Sequence, residues 1–156
     1  MTYQPMGAPA AKRAARSTVL FACVHNSGRS VAAQVVTRHY AGDAVGVLSG
    51  GSAPGQGVNP AVAAVLDELG LSAADHVPTV LDAQLVAGAD VVVTMGCGET
   101  CPFFPGKRYE DCPAEDPAGQ DADTVRRIVA DIDARVRHLL AELLPGRPLP
   151  PALLDR

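Results

Sequence analysis

Cys23 and Arg29 are the residues whose types and spacing point most directly to chemistry. They enclose Val24-His25-Asn26-Ser27-Gly28, and Ser30 follows. The apolar run at residues 18–22 precedes them and the helix-compatible stretch at residues 31–36 comes after, so the segment reads as strand, loop and helix. A tight loop entering a helix N-terminus turns successive N–H groups inward, and these groups together with the helix dipole favour a tetrahedral oxyanion. Cys23, at the mouth of that loop, feels the same positive field, which favours its thiolate, the nucleophilic form of cysteine. Arg29, six residues further on, can fold back and grip two anion oxygens at once. Ser30 can donate to the thiolate or cap the helix. The expected site is therefore a Cys23 nucleophile in an anion-binding loop of Val24, His25, Asn26, Ser27, Gly28, Arg29 and Ser30. The alternative is a buried core cysteine beside a surface arginine.

Cys97-Gly98-Glu99-Thr100-Cys101 is the second feature. Two cysteines four apart in a glycine-containing loop can form a disulfide with modest backbone movement. A hydrolytic reaction has no need of such a pair, whereas a reduction needs a source of two electrons. Redox-inert structural cysteines are one alternative. A zinc site shared with Cys112 is another, although the spacing lacks the paired C-x2-C pattern and a fourth ligand. The third feature is Asp116-Pro117, in which a loop carboxyl can act as general acid toward a leaving oxygen.

These residues must be positioned by a single fold. A chain of 156 residues suits one domain with a real core, and 47% hydrophobic against 19% charged residues is the balance of an α/β protein rather than a disordered chain. The net charge of −4 provides no basic face for phosphates, and 4% aromatic residues offer few stacking platforms, so nucleic acid is not an expected partner. No apolar run approaches membrane-spanning length, so no membrane association is expected. Residues 1–17 lack the apolar core of a signal peptide, and the four cysteines fit chemistry in a reducing, cytoplasmic setting better than structural disulfides.

Residues 1–17, rich in Ala, Pro and basic side chains, read as a flexible N-terminal extension. Strands are expected at residues 18–22, 45–49 and 90–95. A helix follows the first strand to about Tyr40, and a flexible loop at residues 50–57 either borders the ligand crevice or merely connects. Asn59 as N-cap with Pro60 opens a further helix, stopped by Gly70, and residues 81–87 form a short one. Residues 96–120 read as a long irregular segment of the functional kind. The last helix, residues 121–144, carries Val125, Ile128, Val129, Ile132, Val136, Leu139, Leu140 and Leu143 on one stripe, and residues 145–156 read as a Pro-rich extended tail. Strands alternating with helices imply right-handed βαβ units and a parallel sheet.

The C-x5-R-S pattern after the first strand resembles that of the low-molecular-weight protein tyrosine phosphatases and of the arsenate reductases that share their fold. The resemblance covers residues 18–144. Cys101-Pro102 and Asp116-Pro117-Ala118-Gly119 are similar to the arsenate reductases in particular, because the phosphatases commonly follow the Asp-Pro with an aromatic residue where this chain has Ala118. The resemblance implies a single three-layer α/β domain, with a four-stranded parallel sheet flanked by helices. It implies Cys23 as nucleophile, Arg29 and the loop amides as oxyanion binders, Asp116 as acid, and Cys97 and Cys101 as the later cysteines of a disulfide relay that reduces arsenate to arsenite. It also implies phosphate or sulfate as anion mimics, no bound cofactor, and electrons from a thioredoxin-like partner or a low-molecular-weight thiol such as mycothiol. A phosphatase acting on tyrosyl or small phosphoesters, and a non-catalytic anion-binding module, are the competing readings. Gln34 stands where some members carry the acidic ligand of a potassium ion, which argues against that ion, and the resemblance assigns no role to Cys112.

Overall fold

The computed structural model describes residues 16–96 and 103–154. Cys97 and Cys101 lie outside the described residues, as do residues 1–15 of the expected N-terminal extension.

The first strand, β1 (Thr18–Cys23), is followed by helix α1 (Arg29–Ala41), a single 3₁₀ turn and strand β2 (Gly46–Gly51). Helix α2 (Pro60–Glu68), the short α3 (Ala83–Ala87), β3 (Val91–Thr94), β4 (Arg108–Asp111) and the long α4 (Ala122–Leu143) complete the order. All strand pairs are parallel, in the order β2-β1-β3-β4. β1 is central, so both its faces must be covered, and its alternation shows how. Val19, Phe21 and Cys23 join the large core made with α1, α2 and α4, while Leu20 and Ala22 face the smaller core of Leu81, Val86, Ala89 and Val92 on the α3 side. Two apolar layers around one sheet give the three-layer architecture that the sequence implies.

Residues 96–120 are not wholly irregular, as β4 lies within them. Arg108, Tyr109, Glu110 and Asp111 pair with Val91, Val92, Val93 and Thr94 of β3. This edge strand carries three charges in four residues, the composition expected where an open edge must be kept from pairing with another chain. Its apolar signal is reduced to Tyr109, packed against the smaller core. β2 ends two residues later than the sequence suggests, and that extension carries Gly50 and Gly51 to the C-terminal edge of the sheet beside Cys23.

The helix ends follow elementary capping. Asn59 Oδ1 accepts from Ala61 N and Val62 N, Asp82 Oδ1 from Leu85 N, and Asp121 Oδ1 from Thr124 N. Among the described residues, no helix is long and apolar enough to cross a membrane. The described residues after α4 contain no regular element, yet they fold back onto the domain. Leu149, Leu153 and Leu154 pack on the large core, Leu153 N donates to Tyr40 Oη at 2.9 Å, and Arg137 Nη1 donates to Pro150 O at 3.0 Å.

Tyr40 is the post on which this segment rests. Its hydroxyl donates to the buried Asp133 Oδ1 at 2.6 Å, and the Arg137 guanidinium lies 5.1 Å from its ring centroid. Burial, and then the hydrogen bond to Asp133, push the Tyr40 hydroxyl above its ordinary range, so it remains a donor across all ordinary pH. Tyr40→Phe leaves the Asp133 carboxylate and the Leu153 amide without this partner. It is expected to lower stability by about 1–3 kcal/mol, read as a lower urea midpoint at unchanged m-value.

Candidate active site

The loop between β1 and α1 lies at the C-terminal edge of the sheet, where parallel α/β folds place their ligands. Its carbonyls all face away from its centre. Cys23 O accepts from Ser52 N at 3.1 Å, Val24 O from Ala53 N at 2.8 Å and His25 O from Gly55 N at 2.9 Å. Ser27 O accepts from Asn59 N at 2.8 Å and Gly28 O from Ala32 N at 2.9 Å. Asn26 O is bonded to His76 Nε2 at 2.9 Å. With the carbonyls held outward, the peptide planes turn their N–H groups to the inside. No protein acceptor among the described residues meets the N–H groups of residues 24–29. This is the inward nest of donors that an oxyanion requires.

The loop at residues 50–57 is thus more than a connector. It supplies three of these outer hydrogen bonds, and its glycines permit the approach. A Cβ on Gly51 would lie 2.5 Å from Val24 O and 2.8 Å from Asn26 N, a clash with backbone that cannot move aside. Asn26 is the only non-glycine residue with positive φ among those described, at 52°, and its side chain stabilises that conformation from both ends. Its Oδ1 accepts from Thr79 N at 2.9 Å and its Nδ2 donates to Ser30 Oγ at 2.8 Å.

Cys23 Sγ and Ser30 Oγ are 2.9 Å apart. Since Asn26 already donates to Ser30, the serine hydroxyl proton is free to point at the Cys23 sulfur. Arg29 is buried, 8% exposed, and its Nη1 donates to Ala114 O at 3.3 Å. Its Nη2 lies 4.0 Å from Asp116 Oδ2, while Asp116 Oδ1 accepts from Ala118 N at 3.0 Å. Asp116-Pro117 closes over the loop, and a Cβ on Gly28 would lie 2.8 Å from Pro117 Cγ.

Cys23, His25, Ser27, Gly28, Arg29, Asp116 and Ala118 therefore share one cavity of about 50 Å³, completed by Asn59 and Pro117. That volume suits one small oxyanion, far below the roughly 300–1,000 Å³ of pockets for drug-sized ligands. Val24 contributes backbone only, its side chain packing against the smaller core, and Ser30 and Asn26 stand behind the cavity as supports. His25 Nδ1 is bonded to Ala53 O at 3.0 Å.

His76 and Asn59 were not among the site residues that the sequence suggests. His76 comes from an irregular segment far along the chain and carries no motif; Asn59 carries the signal of a helix cap and nothing more. Gln34 is buried, and its Oε1 accepts from Ser49 Oγ at 2.6 Å. Cys112 is buried at the end of β4, its N–H donates to Thr94 O at 2.7 Å, and burial pushes its thiol up. Among the described residues, no three His, Cys, Asp or Glu side chains are grouped to hold a metal ion.

An arsenate reductase of Bacillus cereus is 34% identical over 127 residues, covering 78% of this chain and 92% of that protein. A putative arsenate reductase of Halobacterium salinarum is 32% identical over 130 residues, covering 80% of this chain and 92% of its own. Among solved structures, a thioredoxin-dependent arsenate reductase of Corynebacterium glutamicum superposes with a TM-score of 0.73 at 34% identity, covering 94% of this chain and 78% of that one. The sequence profile of low molecular weight phosphotyrosine protein phosphatase matches residues 18–146, from the first residue of β1 to beyond the end of α4, and the chain belongs to that family.

Proposed function

We propose that this protein is an arsenate reductase that uses Cys23 as nucleophile and passes the resulting oxidation to Cys97 and Cys101. The observation that carries the reading is the convergence of Cys23, Arg29 and Asp116 on one cavity of about 50 Å³. The similarity to proteins named arsenate reductases supports the choice of anion.

The Cys23 thiolate attacks the arsenic of bound arsenate, and Asp116 gives its proton to the departing oxygen, which leaves as water. Arg29 and the loop amides hold the remaining oxygens and the charge that builds on them. Cys97 then attacks Cys23 Sγ. The sulfur–arsenic bond breaks with its electron pair remaining on arsenic, which leaves as arsenite, and two thiols have become one Cys23–Cys97 disulfide. Cys101 attacks Cys97 in turn, releasing Cys23 and leaving a Cys97–Cys101 disulfide for a dithiol of the thioredoxin type, or a low-molecular-weight thiol, to reduce. Support for the entry of Cys97 comes from its sequence neighbour. A Cβ on Gly96, itself at φ 102°, would lie 2.6 Å from Arg29 Nη1, so the chain passes the guanidinium at the residue immediately before Cys97 in sequence.

Ala118 after Asp116-Pro117 favours a small inorganic anion over a phosphotyrosyl group, since no aromatic side chain is supplied at that rim position. The chain is proposed to act in the cytoplasm, with the chemistry carried by residues 18–144 and the flanking extensions outside it.

In an assay coupled to thioredoxin, thioredoxin reductase and NADPH, wild type is expected to form arsenite over many turnovers. Cys23→Ser is expected to form none, and Cys101→Ser to stop after one turnover. Equal multi-turnover rates for wild type and Cys101→Ser would overturn the relay, and hydrolysis of a phosphoester without arsenite formation would make the protein a phosphatase. Asp116→Asn removes the proton donor and is expected to lower kcat by a factor of about 10²–10⁴ with little change in phosphate binding, as read by steady-state kinetics and phosphate inhibition. Asn26→Ala gives up the bonds to Ser30 and Thr79 and a tolerated positive φ. It is expected to lower stability by about 2 kcal/mol and to slow alkylation of Cys23 by iodoacetamide at mild pH.

A further inference from the structure

Asn59 holds two positions at once. Its Oδ1 accepts from Ala61 N at 2.8 Å and from Val62 N at 3.3 Å, and Pro60, between Asn59 and these two donors, has no N–H to offer. Two backbone donors on one side-chain atom fix that atom as the oxygen and fix the amide plane, so Nδ2 must be on the other branch. Asn59 is also tied to the anion loop, its N–H donating to Ser27 O at 2.8 Å, and it lines the same cavity as Cys23, Arg29 and Asp116. Among the described residues, Nδ2 has no protein acceptor. Neighbouring groups on the wall are already engaged. Ser27 Oγ donates to His25 O at 3.2 Å, and His25 Nδ1 is bonded to Ala53 O.

The choice of residue type carries further information. Ser, Asp and Asn cap helices about equally well, so capping alone does not select Asn. Asp would place a second carboxylate beside Asp116 on the wall of an anion cavity. Ser would spend its one oxygen on the cap and extend no amide across the wall. Asn alone joins an acceptor for α2 to an uncharged donor for the cavity.

We propose that Asn59 is a specificity-determining residue of the anion site, its Nδ2 donating to an oxygen of the bound tetrahedral oxyanion while its Oδ1 caps α2. This rests on the anion-site reading above and deepens it. It adds a neutral hydrogen-bond donor to the cavity that the charged clamp of Arg29 also lines.

The test uses the full-length protein with Asn59→Ser and Asn59→Asp, both of which keep a capping oxygen. Three quantities are read: the thermal midpoint, the dissociation constant of inorganic phosphate by calorimetry, and KM and kcat for arsenate. Both variants are expected to melt within about 2 °C of wild type, since the cap survives. Asn59→Ser is expected to weaken phosphate binding about ten-fold and to raise KM for arsenate by a similar factor, the size of one hydrogen bond to a charged group. Asn59→Asp is expected to weaken both by more, because it replaces attraction with repulsion. Phosphate binding within two-fold of wild type in both variants would overturn the inference, as would a weakening that appears only together with a lowered thermal midpoint. Tight phosphate binding by wild type that depends on Asn59, without arsenite formation, would overturn arsenate reduction while leaving the Asn59 contact in place.

Discussion

The site depends on where the carbonyls of residues 23–28 point. Six successive peptide oxygens are drawn outward, five by backbone N–H groups and one by the His76 imidazole. A peptide plane that sends its oxygen out sends its N–H in, so the donor nest is a by-product of bonds made on the far side of the loop. Backbone N–H groups facing a common centre repel one another and gain nothing from packing. The outer bonds offset that repulsion before any ligand arrives, which is the sense in which the cavity is preorganised.

Several sequence choices far from the cysteine follow from this constraint. Gly51 is required because β2 brings its backbone against Val24 O and Asn26 N. The polar loop after β2 must reach the anion loop, and its N–H groups at Ser52, Ala53 and Gly55 do so. Helix α2 starts where it does because Asn59 N closes Ser27 O, and the same helix start then presents Asn59 to the cavity. Arg29 is restrained by Ala114 O and by the Asp116 carboxylate, so the clamp and the acid are fixed by the same short segment. The two are held near each other, Arg29 Nη2 and Asp116 Oδ2 lying 4.0 Å apart.

Much of this was legible from residue order. Thr18–Cys23 is a run of apolar and β-branched residues broken by a turn-forming stretch, and α4 shows an apolar stripe over its whole length. β4 was not legible, because Arg108-Tyr109-Glu110-Asp111 is polar and becomes a strand only through the ladder with β3. Cys23, Arg29 and Ser30 could be grouped because they are neighbours in sequence. His76 could not, since its part is set by a contact with Asn26 O across the fold. Asn59 was visible as a cap and invisible as a wall of the cavity, because capping already explains an Asn before Pro60. The Pro-rich stretch after α4 looked like a tail because prolines exclude helix, while its docking rests on three spaced leucines and on Tyr40.

The most direct measurement is a free-thiol count on the fully reduced protein, with excess reductant removed, before and after stoichiometric arsenate. Loss of two of the four thiols, mapped by peptide analysis to Cys97 and Cys101, is the expected result. Retention of all four while arsenate stays unreduced would contradict the relay.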